Sequence, residues 1–143
     1  MTPVASHRLD PVRLSLAVAT TLAALPLAAF FGFVGYMKTF APLATLAQHH
    51  AWTVALPEWL GRAVGMSELL CAAALLAALA LRGKLVWAER AAALLVINQI
   101  AAATVHLMRG EADALPQNGV LIGLLVICGF TARAWQGRAR RTR

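Results

Sequence analysis

The chain has 143 residues, of which 60% are hydrophobic and 13% charged, with a formal net charge of +7. A soluble domain averages about 25% charged residues. So little polar surface cannot cover a soluble core, and so apolar a chain cannot stay solvated in a disordered state. Charge alone leaves nucleic-acid binding open, so the positions of the charges must decide.

Four windows are nearly free of charge. The first, Leu14–Met37, carries none. It follows Arg8 and Arg13 but is too long for a signal-peptide core, so it reads as an uncleaved first helix. Pro26 lies near its middle, where a membrane helix tolerates proline and can kink. The second, between Arg62 and Arg82, holds only Glu68; the third, between Arg90 and Arg109, holds none with His106 neutral; the fourth, between Asp113 and Arg133, holds none. About 20 residues cross a ~30 Å hydrocarbon layer. The residues show neither strand alternation nor the polar face of a soluble helix. The pattern predicts four transmembrane helices, roughly Val12–Lys38, Gly61–Leu81, Leu85–Met108 and Pro116–Trp135. The fold class is therefore all-α: one integral membrane four-helix bundle spanning residues 1–143, with an outer loop at 39–60 and a basic tail at 136–143.

Four spans put both termini on one side. That side would carry Arg8, Arg13, Arg82, Lys84, Arg90, Arg133, Arg138, Arg140, Arg141 and Arg143, against Lys38, Arg62 and Arg109 on the other. Such a bias places the N and C termini in the cytoplasm. Beside a membrane helix, the basic tail reads as a topology signal that attracts anionic lipid rather than as a nucleic-acid site. Trp52, Trp59, Trp87 and Trp135 fall near predicted interfaces, as in an aromatic belt. The long outer connection, with Pro42, His49, His50, Trp52 and Pro57, is of the length that is functional or caps the membrane. Adjacent His49 and His50 cannot face one way on a helix, so no metal site is expected there. Glu58 and Arg62, spaced i, i+4, are ordinary helix-start electrostatics.

Cys71 and Cys128 lie in different spans without a CxxC and read as packing residues. No haem pattern, nucleophile elbow, phosphate loop or HExxH occurs. Hydrolase and kinase chemistry find no residues to carry them, and no cofactor or metal ligand set is evident.

The remaining signal is the polar residues at membrane depth, which are expensive and must face a partner or a cavity. Helix direction brings Tyr36 and Lys38, Glu68, His106, and Gln117 and Asn118 into the outer half of the bundle. On the second helix, Gly61, Gly65, Glu68 and Ala72 share one stripe at ~100° per residue, and Gly61 and Gly65 form a GxxxG that permits close approach. Ala28, Gly32, Gly35 and Tyr36 form a small-residue stripe on the first. Packing the two stripes brings Lys38 to Glu68. Gln99 and His106 share a face of the third helix, and Asn98 points more sideways. Two roles stay open. In one, Lys38 neutralises Glu68 while Gln99, His106 and Asn118 complete hydrogen bonds that fix helix order. In the other, Glu68 and His106 line an outer pocket that handles protons or a polar head group. A pocket is favoured for the cluster as a whole, since one ion pair would suffice as a lock.

Phe33-Val34-Gly35-Tyr36-Met37-Lys38 resembles the G-x-x-K signature of the DoxX-like membrane proteins. Pro57-Glu58-Trp59 leading to Gly65-Met66-Ser67-Glu68-Leu69 resembles their entry to the second span, and Ala102-Ala103-Thr104-Val105-His106-Leu107 the close of the third. The resemblance covers most of the chain from about Phe30 to Arg133 and implies Gly35, Lys38, Gly65, Glu68 and His106 as family positions. It implies a four-helix membrane bundle whose relatives are linked to a terminal quinol oxidase and to thiosulfate:quinone oxidoreductase, or act as accessories of oxidative-stress proteins. The expectation is a small subunit or accessory of a quinone-linked membrane redox system, not an autonomous enzyme, with membrane lipids and a redox protein as partners. The alternatives are a non-enzymatic binder or carrier of a small hydrophobic ligand, and an assembly scaffold docking a partner through its outer loop. Fold sharing across functions leaves the choice to the site.

Overall fold

The computed structural model describes residues 11–81 and 85–141, with side chains through Arg138. Arg8, Arg82 and Lys84, and the tail side chains beyond Arg138, lie outside the described residues. The architecture is all helical: α1 (Pro11–Phe40), α2 (Leu43–Gln48), a 3-10 turn (Trp52–Ala55), α3 (Glu58–Ala80), α4 (Leu85–Met108), a second 3-10 turn (Ala112–Ala114) and α5 (Leu115–Arg141). The four long helices are long and apolar enough to cross a membrane. α1 runs unbroken through Pro26, whose ring sits on an exposed face. α5 runs six residues past the expected Trp135. Hydropathy measures how far a helix stays in hydrocarbon, and Arg and Ala continue it beyond that depth.

The helices form a closed ring. α1 packs on α3 and α5, and α4 packs on the same two, so chain neighbours are spatial neighbours and the last span returns to the first. Leu27, Phe31, Leu75, Leu95 and Leu125 fill the interior at 1% exposure or less. Large apolar side chains also cover the outside, with Leu22, Leu70, Ile97 and Phe130 each at least 65% exposed. A surface this apolar on all four helices is what a lipid solvent requires. Cys71 and Cys128 are buried free thiols.

Packing is tightest where glycines let backbones approach. A Cβ on Gly65 would stand 2.7 Å from the Lys38 Cβ, and one on Gly35 would stand 2.8 Å from the Gly65 carbonyl oxygen. These two glycines therefore set the α1–α3 distance, as their stripes predict. Gly61 abuts the Thr53 carbonyl, at 3.2 Å from a Cβ position, so it packs the 3-10 turn rather than α1. Gly32 differs from the expectation, since a Cβ there would make ordinary contact with Ala72 at 3.9 Å.

The connection between α1 and α3 is folded. Its 3-10 turn packs on α3 and α4, burying Trp52 and Thr53. Arg62 on α3 donates from one guanidinium nitrogen to the carbonyls of Lys38 (2.9 Å) and Ala41 (2.6 Å). It thus caps the end of α1, where carbonyls lack helical partners. Its other terminal nitrogen meets Glu58 at 3.1 Å, so the expected pair forms while the main work of Arg62 lies elsewhere. At the opposite end, Thr20 on α1 donates to Thr131 on α5 at 2.9 Å, and the Arg13 guanidinium lies 5.0 Å over the Trp135 ring.

Candidate functional site

The loop end of the bundle gathers most of the buried polar side chains: Lys38, Thr53, Glu68, Gln99, His106 and Asn118 are all buried. Each long helix supplies at least one. Two clusters form among them, with a cavity beside them.

The first cluster centres on Glu68, which is fully enclosed. Lys38 donates to its Oε1 at 2.6 Å, and Asn98 donates to the same oxygen at 2.6 Å. The α1–α3 contact through Gly35 and Gly65 lies beside this pair and brings it together. Asn98, expected to point sideways, reaches Glu68 because α4 is the next helix round the ring from α3. The Lys38 ammonium also lies 5.3 Å from the Trp52 ring centre, within cation–π range. Trp52 is 7% exposed with an unpartnered indole N–H. It is therefore a lid over Lys38 and not part of an aromatic belt, whereas Trp59 and Trp87 are exposed.

The second cluster centres on Glu111, which sequence reasoning did not single out. Its Oε2 accepts from His106 Nδ1 at 2.7 Å, and its Oε1 meets Arg109 at 2.7 Å and His50 at 3.8 Å. Gly110 makes this possible. It adopts φ +74°, a left-handed conformation that a glycine takes without strain and that commonly ends a helix. The reversed chain donates from the Glu111 N–H to the His106 carbonyl at 2.9 Å, which stacks the carboxylate over the last turn of α4. A glycine just past a predicted helix end, followed by an acid, was the signal available in the sequence.

Between the loop ends of α1 and α5, with α4 behind, lies a cavity of about 320 Å³. Phe30, Phe33, Val34 and Leu121 form apolar walls, and His49, His50 and Trp52 approach from the loop. Lys38, Gln99, His106 and Asn118 supply polar surface. Gln99 Oε1 and Asn118 Nδ2 are buried without a hydrogen-bond partner. These amides do not complete a network that fixes helix order. A buried unpaired amide is costly, and both belong to residues lining the same cavity.

Two expectations change here. Glu68 does not line the cavity, because Lys38 stands in front of it. Tyr36 does not join the site either. It is 56% exposed and packs on Phe40, because it lies about 100° round α1 from the buried Gly35 and about 200° from Lys38.

A model of the DoxX-like family matches residues 16–128. The chain belongs to the DoxX-like family. The match spans both clusters and the cavity, together with Gly35, Lys38, Gly65 and Glu68, the residues of the α1–α3 contact and its ion pair. No curated protein and no solved structure matches the chain. Among the described residues, no group of three or more His, Cys, Asp or Glu is placed to hold a metal ion.

Proposed function

We propose that this DoxX-like protein binds a small amphipathic molecule in its loop-end cavity and serves as a non-autonomous component of a quinone-linked redox system. One observation carries the binding role: a cavity of about 320 Å³ with apolar walls contains buried polar side chains, two of them with unpartnered atoms. Small-molecule sites are built this way, largely apolar with a few placed polar groups, and this volume suits a ring-sized head. A quinone head in its reduced, quinol form is compatible, with a ring hydroxyl toward the Gln99 and Asn118 amides and the phenylalanines against its plane. The redox association rests on family likeness, and the geometry favours binding over catalysis. Polar residues that no enzyme motif organises are here arranged around a space.

In this proposal the basic bias sets both termini in the cytoplasm of a bacterium. The cavity then opens in the outer half of the inner membrane, reachable from lipid past the exposed Phe33. The test is extraction of native membranes in mild detergent. Mass spectrometry would then follow both the organic extract and the co-purifying proteins. A stoichiometric amphiphile together with an oxidoreductase subunit is expected. An amphiphile without a redox partner would leave a free-standing binder or carrier. A protein partner with an empty cavity would favour the scaffold role and overturn binding.

A further inference from the structure

We infer that the occupant of the loop-end cavity is a neutral amphiphile bearing a hydroxyl group, selected over carboxylates and over molecules whose oxygens only accept. This rests on the binding role proposed above and specifies its ligand class.

Hydrogen-bond capacity comes first. His106 is held at Nδ1 by Glu111 at 2.7 Å, which leaves Nε2 as the ring nitrogen free to meet a ligand. Gln99 Oε1, on a side chain 4% exposed, is an acceptor without a partner and calls for a donor. Asn118 Nδ2, on a side chain 7% exposed, calls for an acceptor. A hydroxyl donates and accepts at one atom, so it serves Gln99 and Asn118 in either orientation of their amides. An ether or a quinone carbonyl offers no donor to Gln99 Oε1.

Charge comes second. The ionic groups beside the cavity are matched within the chain: Lys38 to Glu68 at 2.6 Å, and Arg109 to Glu111 at 2.7 Å. An entering carboxylate would have to draw Lys38 from an enclosed partner. It would also lie near Glu111, so desolvating an anion is poorly compensated. The apolar walls accept the remainder of an amphiphile.

The experiment titrates the full-length protein in detergent with three probes of matched size, by calorimetry: 4-butylphenol, 4-butylanisole and 4-butylbenzoate. The phenol is expected to bind on the order of tenfold more tightly than its methyl ether, the size expected when a buried acceptor loses its donor, and more tightly still than the benzoate. Gln99→Leu should narrow the gap between phenol and ether. The ranking on the unaltered chain decides even if that variant folds poorly. Equal affinity for phenol and ether, or preference for the benzoate, overturns the hydroxyl rule while leaving the cavity a binding site. Failure of all three to bind overturns both.

Discussion

Replacing Lys38 by Met tests whether the ion pair at the α1–α3 contact acts as a lock. The ammonium is 2.6 Å from Glu68 Oε1, and at an effective dielectric of ~20 that distance corresponds to an attraction of about 6 kcal/mol. Desolvation of the two ions offsets much of it. The native pair therefore adds little net stability, but losing one member exposes the full cost of the other. Lys38→Met leaves a fully enclosed carboxylate with only the Asn98 amide, and should lower unfolding free energy by about 3–5 kcal/mol. Glu68→Gln should cost less, because Lys38 lines the cavity and its ammonium can turn into it. In the double variant no charge remains, and stability should recover to within about 1–2 kcal/mol of the parent, a strongly non-additive cycle. The assay is equilibrium unfolding in mixed detergent micelles followed by far-ultraviolet circular dichroism. Additive single effects, or a Lys38→Met loss below about 1 kcal/mol, would refute the lock. Probe affinity unchanged in Glu68→Gln would separate the ion pair from the cavity.

Other predictions follow from the same contacts. Gly65→Ala should destabilise by about 1–3 kcal/mol, since the new methyl meets the α1 backbone and overpacks a tight contact; Gly32→Ala should be nearly neutral, and equal melting temperatures for the two would be inconsistent with the α1–α3 geometry. Gly110→Ala should cost about 1 kcal/mol through its left-handed conformation, and proton NMR of His106 should report a changed environment as Glu111 shifts; an unchanged His106 signal would sever the link between the turn and the histidine. A reporter fused after Arg143 should prove cytoplasmic, and a periplasmic signal would reverse the orientation derived from the basic residues.

The sequence made the helices legible because four windows nearly free of charge have one physical solution in hydrocarbon. The α1–α3 contact was legible for a related reason: Gly65 and Glu68 share a stripe on α3 at helical spacing, and Gly35 and Lys38 fall on one side of α1. The cavity was legible only as a tendency for polar residues to share a depth. Depth follows from counting along a helix, but enclosure depends on which neighbour stands in front. So Glu68 was assigned to a surface that Lys38 covers, and Tyr36 to a site from which its helix turns it away. Glu111 was missed for a different reason. It lies outside every span, in a turn whose hand is set by Gly110, and its partner is reached only when the chain reverses. Trp52 was assigned to an aromatic belt for a similar reason, as its surroundings come from a folded connection that counting along helices does not reach.

The ring order of the helices bears on how such a chain enters a bilayer. The two most costly groups, Lys38 and Glu68, belong to the first two spans and are matched to each other rather than to a later one. An emerging hairpin of α1 and α3 is thus already charge-balanced in hydrocarbon, before α4 and α5 exist to shield it. What waits for the last span is milder: the α1 face carrying Thr20, whose partner Thr131 arrives with α5. Synthesis order and burial cost run in the same direction, so the costliest pair is closed within the first hairpin.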